Sequence, residues 1–187
     1  MLYTRKGDSG TTKVFDSKPG ERISKASCQT EALGALDELN SWLGFCKTRV
    51  LEWQMKVGLN EALFRDIIHQ IQKDLFIIQA EVAGAEKTIA RPKVLWLEGI
   101  IDDAEKELPS IKNFVIPGGS DASAILDVAR TMARRTERRV IEAVLKGEAK
   151  AGGESLAYLN RLSSLLYALA RLTNAKLGFK ENSPDYL

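Results

Sequence analysis

The sequence has 187 residues, a length typical of one domain whose core is stable without disulfides. Its 27 lysine and arginine residues nearly balance 25 acidic residues, so bulk charge does not favour a protein that coats nucleic acid. No apolar run approaches the roughly 20 residues that cross a bilayer, and the first residues lack the apolar stretch of a secretory signal. We therefore expect one domain over residues 1–187, in the cytoplasm, with no nucleic-acid or membrane partner.

Residues that commonly hold metals are scarce in the chain. Cys28 and Cys46 are too few for a disulfide framework and too isolated for a zinc site, and His69 is the single histidine. A ferritin-like di-iron site requires two Glu-x-x-His pairs, which the sequence lacks. We therefore predict no resident metal site and place His69 at the surface or in a hydrogen bond.

Residues 1–26 are predicted to form an irregular arm of loops and short strands. The segment 4–13 combines two glycines with hydroxyl and cationic side chains, a composition suited to close contact with phosphate oxygens. Its spacing differs from that of a Walker A loop, which disfavours the P-loop enzymes. By itself, a Gly-Asp-Ser-Gly segment is more often a turn between strands, and this alternative stays open here.

From residue 27 onward, apolar residues recur at helical spacing and predict five helices, at 29–50, 61–86, 92–108, 120–146 and 154–177. Ser27, Asn60 and either Ser120 or Asp121 are the predicted N-caps. The residues predicted to face the core on the first two helices are Ala32, Leu36, Leu39, Leu43, Cys46 and Val50, then Phe64, Ile68, Ile71, Leu75, Ile78 and Val82. Short connections between such helices predict an all-α, up-and-down five-helix bundle over 27–178, related to four-helix and ferritin-like bundles.

The fourth predicted helix carries arginines beside its apolar face, which is predicted to contain Ile125, Val128, Ala129, Met132, Ala133, Thr136 and Val140. At about 100° per residue, Arg130, Arg134 and Arg138 fall in one arc, together with Glu137. Guanidiniums on adjacent turns repel one another, an arrangement that favours a polyanion ligand such as triphosphate. The alternative is a solvated basic face held by i,i+4 ion pairs, and the residues alone leave both open.

Polar residues also lie close to the predicted helix contacts. Asp37, Asn40 and Ser41 occur on the first helix, and Asn160 and Arg161 stand among leucines on the fifth. Buried carboxylates and amides need partners, and Asp37 is expected to pair with an arginine. The alternative is that these residues only fix the register of the helices.

Five segments stand in a characteristic order along the chain: 4–12, 36–41, 114–119, 134–138 and 159–163. With these segments the sequence resembles the PduO-type ATP:cob(I)alamin adenosyltransferases from Tyr3 to about Leu172. The resemblance implies a homotrimer of five-helix bundles with active sites between subunits. It also implies transfer of the 5′-deoxyadenosyl group of ATP, with Mg²⁺, to the cobalt of cobalamin.

The resemblance further implies roles for individual residues. Those implied to bind ATP are Thr4, Arg5, Lys6, Gly7, Thr12, Lys13, Lys25, Arg134, Arg135, Glu137, Arg138 and Asn160. Arg130 is implied to pair with Asp37 across the subunit interface. Phe114 is implied to line the corrin side of the site and to help displace the lower axial ligand of cobalt.

The sequence departs from the usual family pattern at three positions, since Lys6 and Thr136 replace a threonine and an alanine, and Ser164 stands where many members have aspartate. The tail 180–187 lies outside the match, and we expect it to fray. A cob(II)alamin reductase and an adenosylcobalamin-dependent enzyme are the implied protein partners. Two other functions stay open here: a non-catalytic trimeric protein that delivers cobalamin or nucleotide, and a structural helical adaptor.

Overall fold

A computed structural model describes residues 3–111 and 113–185. Within these ranges the chain forms five helices, α1 (Cys28–Arg49), α2 (Phe64–Val82), α3 (Arg91–Lys106), α4 (Asp121–Leu145) and α5 (Gly153–Lys176). Two antiparallel hairpins accompany them, β1 (Thr11–Thr12) with β2 (Ile23–Ser24) and β3 (Gln54–Val57) with β4 (Asn60–Leu63). The predicted helical bundle is thereby confirmed, and none of the helices in these ranges is long and apolar enough to cross a membrane.

The helices pack in the lateral order α2, α1, α4, α5 and α3, with α4 between α1 and α5. All twelve residues predicted to face the core on α1 and α2 are fully buried, which confirms the faces assigned from their spacing. Ser27 caps α1 by accepting a hydrogen bond from the Thr30 N–H, and Ser120 caps α4 in the same way from the Ser123 N–H. Both of these N-cap predictions are confirmed.

The hairpin of β3 and β4 corrects the predicted start of α2. Asn60 was expected to cap this helix, but it lies in a strand, and α2 begins at Phe64 without a side-chain cap. The Phe64 N–H donates to the Trp53 carbonyl at 2.8 Å and continues the pairing of the hairpin, and Met55 attaches the hairpin to the core, where it is buried. The prediction failed because the helical spacing of apolar residues starts only at Phe64, and Asn60 is a strand residue in register with Val57.

The core face of α4 differs from the predicted face at one position. Val128 was expected to be buried, but its side chain is 43% exposed, whereas Leu126 is fully buried. Two residues correspond to about 200° of rotation on a helix, so Val128 points away when Leu126 faces the core. Packing between α1 and α5 fixes this rotation, and Trp42 contributes by donating from Nε1 to the Ile125 carbonyl at 3.0 Å.

The arm and the tail both contact the bundle. The Asp16 N–H donates to the Ala83 carbonyl at 3.3 Å, which ties the arm to the end of α2. The expected fraying of the tail is wrong for residues 181–182, because the Asn182 carbonyl accepts a hydrogen bond from the Ile116 N–H at 2.9 Å and Glu181 binds Arg171. Residues 186–187 of this prediction lie outside the described residues.

Candidate active site

A cleft of ≈ 910 Å³ opens beside α4 and α5. Its walls come from the loop before α4, the two helices and the tail: Ile111, Asn113, Phe114, Val115, Arg130, Arg134, Ser163, Ser164, Tyr167, Ser183 and Pro184. The Phe114 side chain is 80% exposed at this cleft. The cleft therefore combines two cations with an aromatic and aliphatic wall, which suits a ligand that is anionic at one end and apolar at the other.

The arginines of α4 divide into paired and unpaired groups. Arg135 forms an ion pair with Glu38 of α1, and Arg139 pairs with Glu31 and Glu142. The side chains of Arg134 and Arg138 make no hydrogen bond or ion pair with any residue in 3–111 or 113–185, and Arg134 lines the cleft. The solvated basic face considered from the sequence thus applies to Arg135 and Arg139, whereas two guanidiniums one turn apart are available to an anion.

Arg130 is held in a fixed orientation at the wall of the cleft. Its Nε donates to Asp127 Oδ1 at 3.0 Å, and its guanidinium carbon lies 5.7 Å from the centre of the Tyr167 ring. Asp37, its implied partner across a subunit interface, is exposed on α1, and its carboxylate makes no hydrogen bond or ion pair with the described part of its own chain. The predicted pair between Arg130 and Asp37 is therefore not formed within one chain.

A chain of hydrogen bonds joins α4, α5 and α3 beside the unpaired arginines. Asn160 Nδ2 donates to Glu137 Oε1 at 3.0 Å, and the guanidinium of Arg161 donates to Asn160 Oδ1 at 2.7 Å. Arg161 Nε also donates to Glu98 at 3.0 Å. The structure thus brings Glu137 and Asn160 together and places a carboxylate on the same helix face as Arg134 and Arg138.

The glycine-containing segment of the arm folds against Lys25. The Lys25 N–H donates to the Gly10 carbonyl at 2.9 Å, and a Cβ at Gly7 would come within 2.9 Å of Lys25 Nζ. Arg5 adopts a φ of 59°, in the left-handed region that side chains rarely occupy. Within the described chain, residues 4–13 and Lys25 make no hydrogen bond or ion pair with the arginines of α4, so no such contact joins the two implied parts of the ATP site within one chain.

Residues 2–173 match the family model described as cobalamin adenosyltransferase. The chain belongs to the cobalamin adenosyltransferase family. It is 38% identical over 177 residues to the corrinoid adenosyltransferase PduO of Citrobacter freundii, covering 91% of this chain and 49% of that protein. It is 37% identical over 181 residues to the corrinoid adenosyltransferase of Bacillus subtilis, covering 95% of this chain and 88% of that protein. The chain thus spans about half the length of the Citrobacter PduO relative.

Solved structures of this family share the fold. A variant of the PduO-type ATP:corrinoid adenosyltransferase of Lactobacillus reuteri, complexed with cobalamin and ATP, aligns with a TM-score of 0.83 at 28% identity over 100% of this chain and 97% of that chain. A second variant, complexed with ATP, aligns with a TM-score of 0.81 at 29% identity over 98% of this chain and 100% of that chain. The resemblance stated from the sequence is therefore confirmed at the level of family and fold.

Several residues in the cleft wall or next to it were not predicted from the sequence. Tyr167 lies seven residues, or about two turns, after Asn160 on α5, so helical spacing alone could have placed both on one face. Asp127 precedes Arg130 by three residues, a spacing typical of an ion pair within a helix. Arg171 and Glu181 form an ion pair that raises the pKa of the Arg171 guanidinium, and no local pattern indicates this contact.

The remaining residues that the sequence singled out lie away from the cleft, apart from Ser164, which lines it. Thr136 is buried and donates from Oγ1 to the Ala35 carbonyl at 3.0 Å, so it joins α4 to α1. His69 is exposed, as expected, and its Nδ1 lies 3.4 Å from Lys47 Nζ. Both cysteines are free, and burial raises the pKa of the Cys46 thiol to about 12.

Proposed function

We propose that the chain transfers the 5′-deoxyadenosyl group of ATP to the cobalt of cob(I)alamin, forming adenosylcobalamin and releasing triphosphate. The observation that carries the proposal is the pair of unpaired guanidiniums, Arg134 and Arg138, beside a cleft with an aromatic wall. Family membership supports it, because curated relatives are named corrinoid adenosyltransferases and a solved relative is complexed with both cobalamin and ATP.

The reaction needs little covalent chemistry from the protein. Cobalt(I) is itself the nucleophile: it attacks C5′ of ATP, the cobalt–carbon bond forms, and the C5′–oxygen bond breaks with its electron pair on the triphosphate. The chain has to hold the two substrates in line and stabilise the leaving group. Fixed cations in a site with little water perform the second task, and Arg134 and Arg138 are placed to do so through bidentate contacts.

The arm is proposed to enclose the nucleotide. Its ATP-binding residues are Thr4, Arg5, Lys6, Gly7, Thr12, Lys13 and Lys25. Support comes from the close approach of the Lys25 ammonium to Gly7, which leaves backbone and cation side by side where a phosphate oxygen could bind both. The nucleotide side is completed by Arg135, Glu137 and Asn160. When ATP binds, Arg135 would leave its ion pair with Glu38 and contact a phosphate.

Mg²⁺ is proposed to arrive with ATP. No group of three or more His, Cys, Asp and Glu side chains in the described chain is arranged to hold a metal ion. Mg²⁺ is commonly held by substrate phosphates and water with only one or two carboxylates, a requirement that this site fits. Glu137, beside the unpaired arginines, is the carboxylate that would lie nearest to such a complex.

The aromatic wall is proposed to receive the corrin. An apolar surface at Phe114 disfavours a polar lower ligand on cobalt. Loss of that ligand leaves four-coordinate cobalt(II), which a separate reductase would reduce to cobalt(I). Arg130 and Tyr167 line the same cleft, with the guanidinium carbon 5.7 Å from the centre of the Tyr167 ring. A cob(II)alamin reductase and an adenosylcobalamin-dependent enzyme are the proposed protein partners.

A homotrimer is the proposed assembly, with residues 1–26 as the arm and 27–178 as the bundle of one domain over 1–187. Support comes from Asp37, which is exposed and lacks a partner within the described part of the chain. In a trimer, Arg130 of one subunit would bind two carboxylates, Asp127 of its own chain and Asp37 of the neighbouring subunit. The cytoplasm is the proposed location, since two free thiols suit a reducing compartment.

The proposal is tested by exchanging Arg134 for alanine, with Arg139→Ala as the matched control on the same helix. In an anaerobic assay with ATP, Mg²⁺ and chemically reduced cobalamin, the change in corrin absorption and the release of triphosphate are followed together. Arg134→Ala should lower kcat/KM by about 100-fold or more, because it removes a charged donor to the leaving group. Among the described residues, Arg139 pairs only with Glu31 and Glu142, so its variant should retain activity.

Equal activities of the two variants would remove the arginine pair from the mechanism. If the wild-type protein binds ATP but releases no triphosphate, the chain is a delivery protein. If it binds no nucleotide at all, the structural adaptor is the better description.

A further inference from the structure

The loop before α4 that carries Phe114 has almost no apolar anchor. The side chains of Ile111, Phe114 and Ile116 are 54%, 80% and 53% exposed, and among neighbouring positions Val115 is only half-buried. A loop whose large apolar side chains face outward gains little from burial, so its position has to be set by polar contacts.

Two side chains hold the backbone of this loop at Gly118. The Gly118 N–H donates to Asp127 Oδ2 at 3.3 Å, and Asn174 Nδ2 donates to the Gly118 carbonyl at 2.8 Å. Asn174 is buried on α5, and its amide lies so close beneath Gly119 that a Cβ there would overlap it. The backbone on both sides of the Gly118 Cα is thus held from α4 and from α5 at the same time.

The tail holds the other parts of the loop through Arg171. This residue is 6% exposed and donates from Nε and from its terminal nitrogen to Glu181, with distances of 2.8 to 3.0 Å. The same guanidinium donates to the Pro109 carbonyl at 3.1 Å, at the start of the loop. The Ile116 N–H in turn donates to the Asn182 carbonyl at 2.9 Å, so the tail next to Glu181 pairs with the middle of the loop.

These contacts continue into the wall of the cleft. Asp127 also accepts a hydrogen bond from Arg130. The guanidinium carbons of Arg130 and Arg171 lie 5.7 and 5.9 Å from the centre of the Tyr167 ring. The position of the loop and the shape of the cleft therefore depend on the same set of side chains.

We propose that Asp127, Asn174 and the Arg171–Glu181 pair, here called the loop clamp, are positioning residues that hold Phe114 against the corrin in the reaction starting from cob(II)alamin. The inference rests on the proposed function. The clamp residues act through Phe114. Asn174 holds the backbone of the loop, Glu181 holds the tail that pairs with the loop, and neither side chain has to contact ATP. Loss of the contact made by Asn174 or by Glu181 lets the loop move away, so the apolar environment that favours four-coordinate cobalt(II) is lost. Arg134 and Arg138 remain in place, because their side chains make no hydrogen bond with the clamp.

The test compares Asn174→Ala and Glu181→Gln with Glu52→Gln, an exposed control with no hydrogen bond or ion pair in the described chain. Each variant is assayed from cob(II)alamin with a mild one-electron reductant and from cobalamin already reduced to cob(I)alamin. The fraction of four-coordinate cobalt(II) in the presence of ATP is measured by electron paramagnetic resonance. Glu181 lies in the tail, outside the bundle, so its variant keeps the test informative if Asn174→Ala fails to fold.

Both clamp variants should react about fivefold to tenfold more slowly from cob(II)alamin, as expected for the loss of one buried hydrogen bond or charged contact. They should show a smaller four-coordinate fraction, and should change less than twofold from cob(I)alamin. Glu181→Asp, which keeps the charge, should recover part of the rate. Equal losses from both cobalt states, or no loss from either, would overturn the clamp. Failure of the wild-type protein to make adenosylcobalamin from cob(I)alamin would overturn the proposed function instead.

Discussion

Replacing Tyr158 with phenylalanine removes one hydroxyl from a buried network that joins three helices, and we expect it to lower the free energy of unfolding by about 1.5–3 kcal/mol. At the centre lies Asp74 of α2, whose side chain is 1% exposed. Asp74 Oδ1 accepts hydrogen bonds from Gln70 and from Lys93 of α3, whereas Oδ2 accepts from Tyr158 of α5 at 3.0 Å.

The magnitude follows from the distribution of donors on this carboxylate. Among the described residues, Tyr158 is the sole donor to Oδ2, so the variant leaves a buried, charged oxygen without a hydrogen bond. Such a loss belongs at the upper end of the range for a single hydrogen bond. For a chain of this length it corresponds to a decrease in Tm of roughly 3–12 °C.

Thermal unfolding followed by circular dichroism measures the effect, with Tyr167→Phe as the control. The Tyr167 hydroxyl makes no hydrogen bond with the described part of the chain, so its removal should change stability by less than about 0.5 kcal/mol. Equal decreases in Tm for the two variants would refute the importance of the contact between Tyr158 and Asp74.

The same network predicts an alkaline effect. Burial and the Asp74 carboxylate raise the pKa of the Tyr158 hydroxyl, so it stays protonated in the folded protein. In the unfolded chain tyrosine ionises near pH ~10, so folding stability should be fully present below that pH and decrease as the pH rises above it. Denaturant titrations at pH 8 to 11 should show a shallower decrease in Tyr158→Phe. An unchanged slope would contradict the assignment.

Three further outcomes are expected, two for the cysteines and one for a pair of glycines. Cys28 should react quickly with a thiol reagent and the buried Cys46 only on unfolding. Two thiols that react quickly would disprove the burial of Cys46. Because the pKa of the Cys46 thiol is raised to about 12, the free energy of unfolding should also fall as the pH rises from ~8.5 towards 12. This fall should be smaller in Cys46→Ala. Gly84→Ala should release the arm to tryptic cleavage and lower Tm more than Gly20→Ala, since both glycines have positive φ but a methyl at Gly84 alone overlaps Asp16. Equal cleavage would show that the arm is held elsewhere.

The spacing of apolar residues was sufficient to assign the buried faces of α1 and α2, because helical periodicity is a local property of the chain. Spacing also placed Arg130, Arg134 and Arg138 in one arc, for the same reason. It missed the hairpin at 54–63, whose pairing depends on contacts with α3: the Lys56 N–H donates to Glu107 at 3.2 Å and the Gly58 N–H to Asp103 at 2.7 Å.

Which arginines remain unpaired was decided only by the tertiary structure. Arg134 and Arg135 are adjacent and equally charged, but Glu38 of α1 lies opposite Arg135 and leaves Arg134 at the cleft. The loop clamp is also beyond reach of the sequence, because Asn174 meets Gly118 across 56 residues. Local spacing sets which way a side chain faces on its helix. The neighbour that it meets depends on how the helices rotate and pack, and no single segment of the chain contains that information.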